Sequence, residues 1–168
     1  MVRLALALAC ALGLSSVVYA RTGDTLAGTV SVVDGDTLDL HGQRIRLWGV
    51  DAPESRQLCR VDGQPWRCGQ AAALALSDHI GRRVVHCEEL DTDRWKRIVA
   101  RCRVAGDDLG AWLVGQGLAL AFVRYSEDYV ADEARARAGR RGIWKGTFAP
   151  PWEWRRDRNA PMITAAAG

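Results

Sequence analysis

Hydrophobic and polar positions alternate along much of this chain. Leu26 to Val33 alternates weakly and is rich in Val and Thr, which predicts a strand. Asp34-Gly35-Asp36 interrupts it as a turn or bulge, and Thr37 to Leu40 resumes as a strand. After a His41-Gly42 turn, Gln43 to Trp48 alternates more clearly. Ile45 and Leu47 face one way, and Arg44, Arg46 and Trp48 the other. Asp51 to Cys68, with Pro53, Gly63 and Pro65, predicts a loop. Gly69 to Ile80 then changes period, with Ala72, Leu76 and Ile80 at helical spacing. Two further strands are predicted over Val84 to Leu90 and Ile98 to Val104, joined by Asp91 to Arg97. A helix follows over Asp108 to Gly117, with Leu109, Trp112 and Leu113 on one face. A third helix is expected from a Ser126 cap to about Arg140, with Glu127 and Asp128 in its first turn, where negative charge suits the helix dipole.

The order is three strands, a helix, two strands and two helices. It predicts an α+β chain with a mainly β core: a five-stranded Greek-key barrel of the OB type carrying three helices. The barrel domain is expected over residues 21–148. Residues 149–168 form a tail rich in Trp, Pro and Arg, whose last eight residues are expected to fray. The tryptophans of this tail are expected to pack back on the barrel and be buried.

Residues 1–20 differ in kind. Arg3 precedes an uncharged apolar run from Leu4 to Val18, and Val18-Tyr19-Ala20 places small residues at signal-cleavage spacing. The run is shorter than the ~20 apolar residues of a membrane span. A secretory signal cut after Ala20 is therefore expected, leaving a secreted or periplasmic protein without stable membrane association. Ala7-Leu8-Ala9-Cys10 is a poor match to a lipoprotein signal. Without Cys10 four cysteines remain, an even number in an exported chain, which predicts two disulfides among three possible pairings. Cys59–Cys68 would close a Pro- and Gly-containing loop, and Cys87–Cys102 would join two adjacent strands. Zinc is the rival, but the chain has no C-x-x-C and its cysteine spacings are irregular.

Charge changes this picture only locally. Removing Arg3 from 23 Lys+Arg leaves 22 against 20 Asp+Glu, a net of +2 that does not by itself imply a polyanion partner. Three short stretches concentrate the chemistry. Asp34-Gly35-Asp36 brings two carboxylates to a sharp bend, as a hard cation wants, although Asp and Gly also favour ordinary turns. Arg46-Leu47-Trp48-Gly49-Val50-Asp51-Ala52-Pro53-Glu54 holds a guanidinium for phosphate, a carboxylate for a metal and a candidate base; a solvated strand end with a salt bridge would look similar. Asp93-Arg94-Trp95-Lys96-Arg97 combines basic residues with an aromatic that can stack a base, and it also fits a charged hairpin tip. His41, His79 and His86 are scattered and suggest no histidine chemistry.

As an ordered set these stretches resemble the thermonuclease family, whose type member is staphylococcal nuclease. The resemblance runs from about Leu26 to Trp144. It includes Leu113-Val114-Gly115-Gln116-Gly117-Leu118-Ala119 and Gly142-Ile143-Trp144. It implies a calcium-dependent nuclease acting on DNA and RNA, with single strands preferred and products ending in a 3′-phosphate. Asp36, Asp51 and the backbone carbonyl of Ala52 match its calcium ligands. Arg46 and Arg97 match its phosphate-holding arginines, and Glu54 matches the residue that orients or deprotonates the attacking water. Asp34 matches an acid behind the metal ligands. Trp95 stands for a nucleotide-contacting tyrosine, and Tyr125 lies near a second one. Lys96 occupies a position where the family commonly has glycine, which puts the loop that aims Arg97 in doubt. A monomer is expected. The rival readings are a non-catalytic OB-type nucleic-acid-binding module and an exported protein-interaction domain using Pro151-Trp152-Glu153-Trp154-Arg155-Arg156. A pure binder has no need of an acidic pair beside its arginines, because acid repels phosphate unless a cation intervenes.

Overall fold

A computed structural model describes residues 25–159. The expected signal segment and the last eight residues lie outside the described residues. The core is one curled sheet whose strands run in the order β1-β8-β9-β4-β3-β2. These are β1 (Thr25–Gly28), β8 (Val85–Thr92), β9 (Ile98–Val104), β4 (Gln43–Leu47), β3 (Thr37–Leu40) and β2 (Ser31–Asp34). All neighbours are antiparallel except β4 and β9, which run parallel with Ile45 opposite Ile98. The short β10 (Asp107–Asp108) pairs with β9.

The two ends of this sheet are consecutive in sequence, separated only by Thr29 and Val30. The sheet must therefore curl until its edges nearly meet, which is how a five-stranded barrel is made from one bent strand and four others. The single strand expected over Leu26 to Val33 is accordingly two strands. One half pairs with β8, with Leu26 opposite Cys87, and the other with β3, with Val32 opposite Leu38. The register shifts between Val32 and Asp34, a bulge at the expected interruption.

The alternation on β4 acts as expected: Ile45 and Leu47 are buried, and Arg46 on the other face is half-buried. α1 (Cys68–Ile80) seals one side of the barrel with Ala72, Leu76 and Ile80. α2 (Leu109–Gly115) adds Leu109, Leu113 and Val114 to the same core and is capped by Asp108, which accepts a hydrogen bond from the N–H of Ala111 at 3.0 Å. Trp112 is only half-buried and stacks on His79, with centroids 4.0 Å apart. Both expected disulfides, Cys59–Cys68 and Cys87–Cys102, are present.

Three expectations need correction. The Asp51–Cys68 segment contains β5 (Val50–Asp51) at its start, paired with β11 (Leu120–Ala121), and a hairpin of β6 (Cys59–Val61) and β7 (Gln64–Trp66). Asp62-Gly63 turns this hairpin with φ of 50° and 75°, the left-handed pair favoured in tight hairpins. The third helix, α3, begins at Val130 rather than beside Ser126 and ends at Ala138. Ser126 instead forms a local turn, its hydroxyl accepting from the N–H of Asp128 at 3.1 Å. The tail supplies a fourth helix, α4 (Pro151–Asn159), with proline in the first helical position, where its missing N–H costs nothing. Trp154 in it is half-buried, but Trp152 stays exposed, so the expected burial of both does not occur.

Gly69 ties this frame to the chemistry. A Cβ there would lie 1.8 Å from the carbonyl oxygen of Glu54, so only glycine lets α1 lie against the Asp51–Glu54 segment. Gly69→Ala is expected to cost about 1–3 kcal/mol through overpacking, read as a lowered midpoint in urea denaturation. An unchanged midpoint would show that the segment and the helix are not in contact.

Candidate active site

Three segments converge on one point. The bulge at the end of β2 and the Gly35-Asp36 turn aim Asp36 inward, and its peptide oxygen is bonded by Leu47 N–H at 2.8 Å. Arg46 stands on the outward face of β4, opposite Thr37 of β3. Asp51 sits on the two-residue β5, fixed by pairing with Leu120. Asp51 is fully buried and Asp36 is 5% exposed, so neither carboxylate can rely on water for solvation.

Arg46 solvates both. Its guanidinium grips Asp36 through Nη1 to Oδ1 at 3.2 Å and Nη2 to Oδ2 at 3.1 Å, and Nη2 also donates to Asp51 Oδ1 at 3.0 Å. Burial opposes the charge on Arg46, but the carboxylates of Asp36 and Asp51 outweigh it and raise its pKa. Burial pushes the Asp36 carboxyl up, and the nearby Asp34 adds to this. Arg46, the Ala52 N–H at 3.3 Å and the Thr37 hydroxyl at 3.0 Å pull it down without reversing the rise. Asp34 accepts from the N–H of Asp36 at 3.2 Å, which holds the turn.

Arg155 of α4 entered the sequence reading only within a rival protein-interaction stretch, yet it binds two of the site's acids directly. Nη1 and Nη2 form a fork onto Asp51 at 3.0 and 2.7 Å, and Nη1 also donates to Glu54 Oε1 at 2.7 Å. Burial disfavours the charge on Arg155, but its bonds to Asp51 and Glu54 prevail and its pKa is raised. Gln57 was missed too. It is fully buried, accepts from the Glu54 N–H at 3.2 Å and donates to the carbonyl of Ala149 at 2.6 Å, tying the Glu54 segment to the start of α4. The available signals were Pro151 as a helix start and the two arginines, Arg155 and Arg156, that follow the tail's tryptophans.

Arg97 does not touch these carboxylates. It lines the same open cleft of ≈ 840 Å³ and is held by Asp93, whose Oδ2 accepts from Nε at 2.7 Å and whose Oδ1 accepts from the N–H groups of Arg97 and Trp95 at 2.9 Å. Lys96 turns this loop with φ of 62°, a conformation costing an L-residue about 1–2 kcal/mol. The loop nevertheless closes through Lys96 N–H to Asp93 O at 2.8 Å. Trp95 and Tyr125 are 63% and 62% exposed and line the cleft, as does Trp152, stacked on Phe122 with centroids 5.8 Å apart. All cationic side chains of the lining are arginines: 46, 94, 97, 124 and 155. Arginine forks match phosphate oxygens as lysine cannot.

The donor set is consistent with a hard divalent cation. Asp36 and Asp51 present oxygen to a shared point, Glu54 reaches the same guanidinium as Asp51, and water could complete an all-oxygen shell. Among the described residues no group of three or more His, Cys, Asp or Glu forms a metal cage, and the four described cysteines, Cys59, Cys68, Cys87 and Cys102, are all committed to disulfides rather than to zinc.

A family model described as a staphylococcal nuclease homologue matches residues 44–146. The chain belongs to the staphylococcal nuclease family. It is 35% identical over 130 residues to the succinoglycan biosynthesis protein ExoI of Rhizobium meliloti, covering 75% of this chain and 68% of that one. It is 32% identical over 148 residues to protein ParB of Escherichia coli (77% and 78% covered). It is 32% identical over 145 residues to a micrococcal nuclease of Shigella flexneri (76% and 78% covered). The family match spans Arg46, Asp51, Glu54 and Arg97; Asp36 precedes it and Arg155 follows it.

The Asp93 hub gives a pH prediction. Burial works to raise its carboxyl, but the N–H and guanidinium of Arg97 and the N–H of Trp95 hold it below the usual range. A depressed acid contributes stability above its unfolded value of about 3.9, lost as pH falls through the folded value. Asp93→Asn is expected to make the acid limb of stability shallower below about pH 4 in urea denaturation. Superimposable limbs would mean Asp93 does not hold the loop.

Proposed function

We propose that this chain is an exported, calcium-dependent nuclease that hydrolyses phosphodiester bonds in DNA and RNA. The observation that carries the reading is Arg46 joining Asp36 and Asp51 on the floor of a cleft lined by arginines and exposed aromatics. Asp36 and Asp51, with the Ala52 backbone carbonyl, are the residues that would hold the ion. When bound, calcium supplies positive charge to a phosphoryl oxygen and acidity to a water. The relative from Shigella flexneri bears the name micrococcal nuclease, which supports the activity.

The chain's own groups then divide the work. A phosphodiester gains negative charge on the way to a pentacoordinate transition state, so catalysis needs cations aimed at the oxygens where that charge develops. Arg46 and Arg97 form charge-assisted, forked bonds to those oxygens. Glu54 positions or deprotonates the water for in-line attack. Asp34 steadies the Asp36 turn. Trp95 and Tyr125 offer flat faces to unpaired bases, which favours single strands and reads little sequence. Products ending in a 3′-phosphate follow from the family resemblance. Two disulfides and the apolar leader support an oxidising, extracytoplasmic destination.

Arg46→Ala and Arg97→Ala are each expected to lower kcat on single-stranded DNA by at least ~10²-fold, as loss of an oxyanion donor does. Near-wild-type turnover in either variant would remove that arginine from the mechanism. EDTA should abolish cleavage and excess calcium restore it, whereas full activity in chelator would rule out the cation.

A further inference from the structure

Asp51 has two carboxylate oxygens, and both already have partners. Oδ1 accepts from Arg46 and from Arg155, and Oδ2 accepts from Arg155. Glu54 Oε1 accepts from the same Arg155 nitrogen that reaches Asp51. The guanidinium of Arg155 thus bridges Asp51 and Glu54, while Arg46 bridges Asp51 and Asp36. Arg155 is the more accessible of the two, with its side chain 36% exposed against 19% for Arg46. It is also the one carried on a separate element, α4, anchored at Gln57–Ala149 and by Trp152 on Phe122.

We propose that Arg155 is a positioning residue that serves as the site's own counter-cation, occupying Asp51 and Glu54 until a divalent ion displaces it. The proposal rests on the cation reading above. A buried carboxylate without a positive partner is strongly disfavoured, so a site made to accept and release an ion needs something to take the ion's place. Arg46 is one positive charge shared between two buried carboxylates, and Arg155 supplies Asp51 with a second through two parallel hydrogen bonds. A divalent ion on Asp51 must compete with this fork, because both draw on the same lone pairs. The Gln57–Ala149 bond and the Trp152–Phe122 contact are independent of Arg155, so the side chain can leave the carboxylates while these hold the helix in the cleft wall, beside the other four arginines.

Calcium binding without substrate tests this directly. Calorimetric titration of wild type, Arg155→Ala and Arg155→Gln, with terbium luminescence as a second probe, should show both variants binding about tenfold tighter. That is ~1.4 kcal/mol. In EDTA both variants should melt below wild type, and saturating calcium should close the gap. An Arg155 that merely braced the fold would lower the melting temperature equally with and without calcium and would not tighten binding. Unchanged or weaker calcium affinity in the variants, or a melting deficit that persists in calcium, overturns the proposal while leaving the cation reading intact. No calcium binding by any of the three proteins overturns both.

Discussion

The site depends on one electrostatic constraint. Asp36 and Asp51 are carboxylates removed from water, and Arg46 is the fixed positive charge that makes their proximity tolerable. Taking such ions out of water costs several kcal/mol each unless geometry and hydrogen bonding compensate. The compensation here is nearly complete. Both oxygens of Asp36 and both of Asp51 accept bonds, from Arg46, Arg155, Thr37 and the Ala52 N–H. A pair held this way is pre-organised: the acids need not be brought together when a ligand arrives.

The barrel exists, in this sense, to bring three separate backbone segments to one guanidinium. The bulge on β2 turns Asp36 inward, the alternation of β4 puts Arg46 outward, and the short β5–β11 pairing stops the chain where Asp51 is required. Core packing of Leu38, Ile45 and Leu47 on the opposite face of β3 and β4 fixes the angle at which these side chains leave the sheet. Loop positions aimed from a rigid scaffold suit a site in which displacements of an ångström matter.

Much of this was legible in the sequence because the signals are local. Period-two alternation over Gln43–Trp48 gave the strand and the side on which Arg46 lies, and the helical spacing of Ala72, Leu76 and Ile80 gave the buried face of α1. Asp36, Arg46 and Asp51 stood out through short charged stretches taken as an ordered set with the family resemblance, and the structure brings their side chains together. The division of the first strand was not legible, since it is decided by partners elsewhere: β8 for one half and β3 for the other. The Cys59–Trp66 hairpin was readable from Asp62-Gly63 but was obscured by a proline-containing loop. Val130 as the start of α3 was masked by Ser126, whose polar side chain serves a turn as readily as a cap. Arg155 lies 104 residues from Asp51, and no periodicity within a short window can report a meeting at that distance.

The seam of the barrel has a bearing on alignment. Only Thr29 and Val30 separate the strand that pairs with β8 from the strand that pairs with β3. The two rims of the sheet are thus yoked by a link too short to absorb slack. If Leu26 slid by one residue against Cys87, the pull would travel through those two residues into Val32, and the kink that points Asp36 at Arg46 would be dragged with it. The rim that carries Leu26 therefore calibrates Asp36, and errors in threading there would be felt first as chemistry rather than as shape.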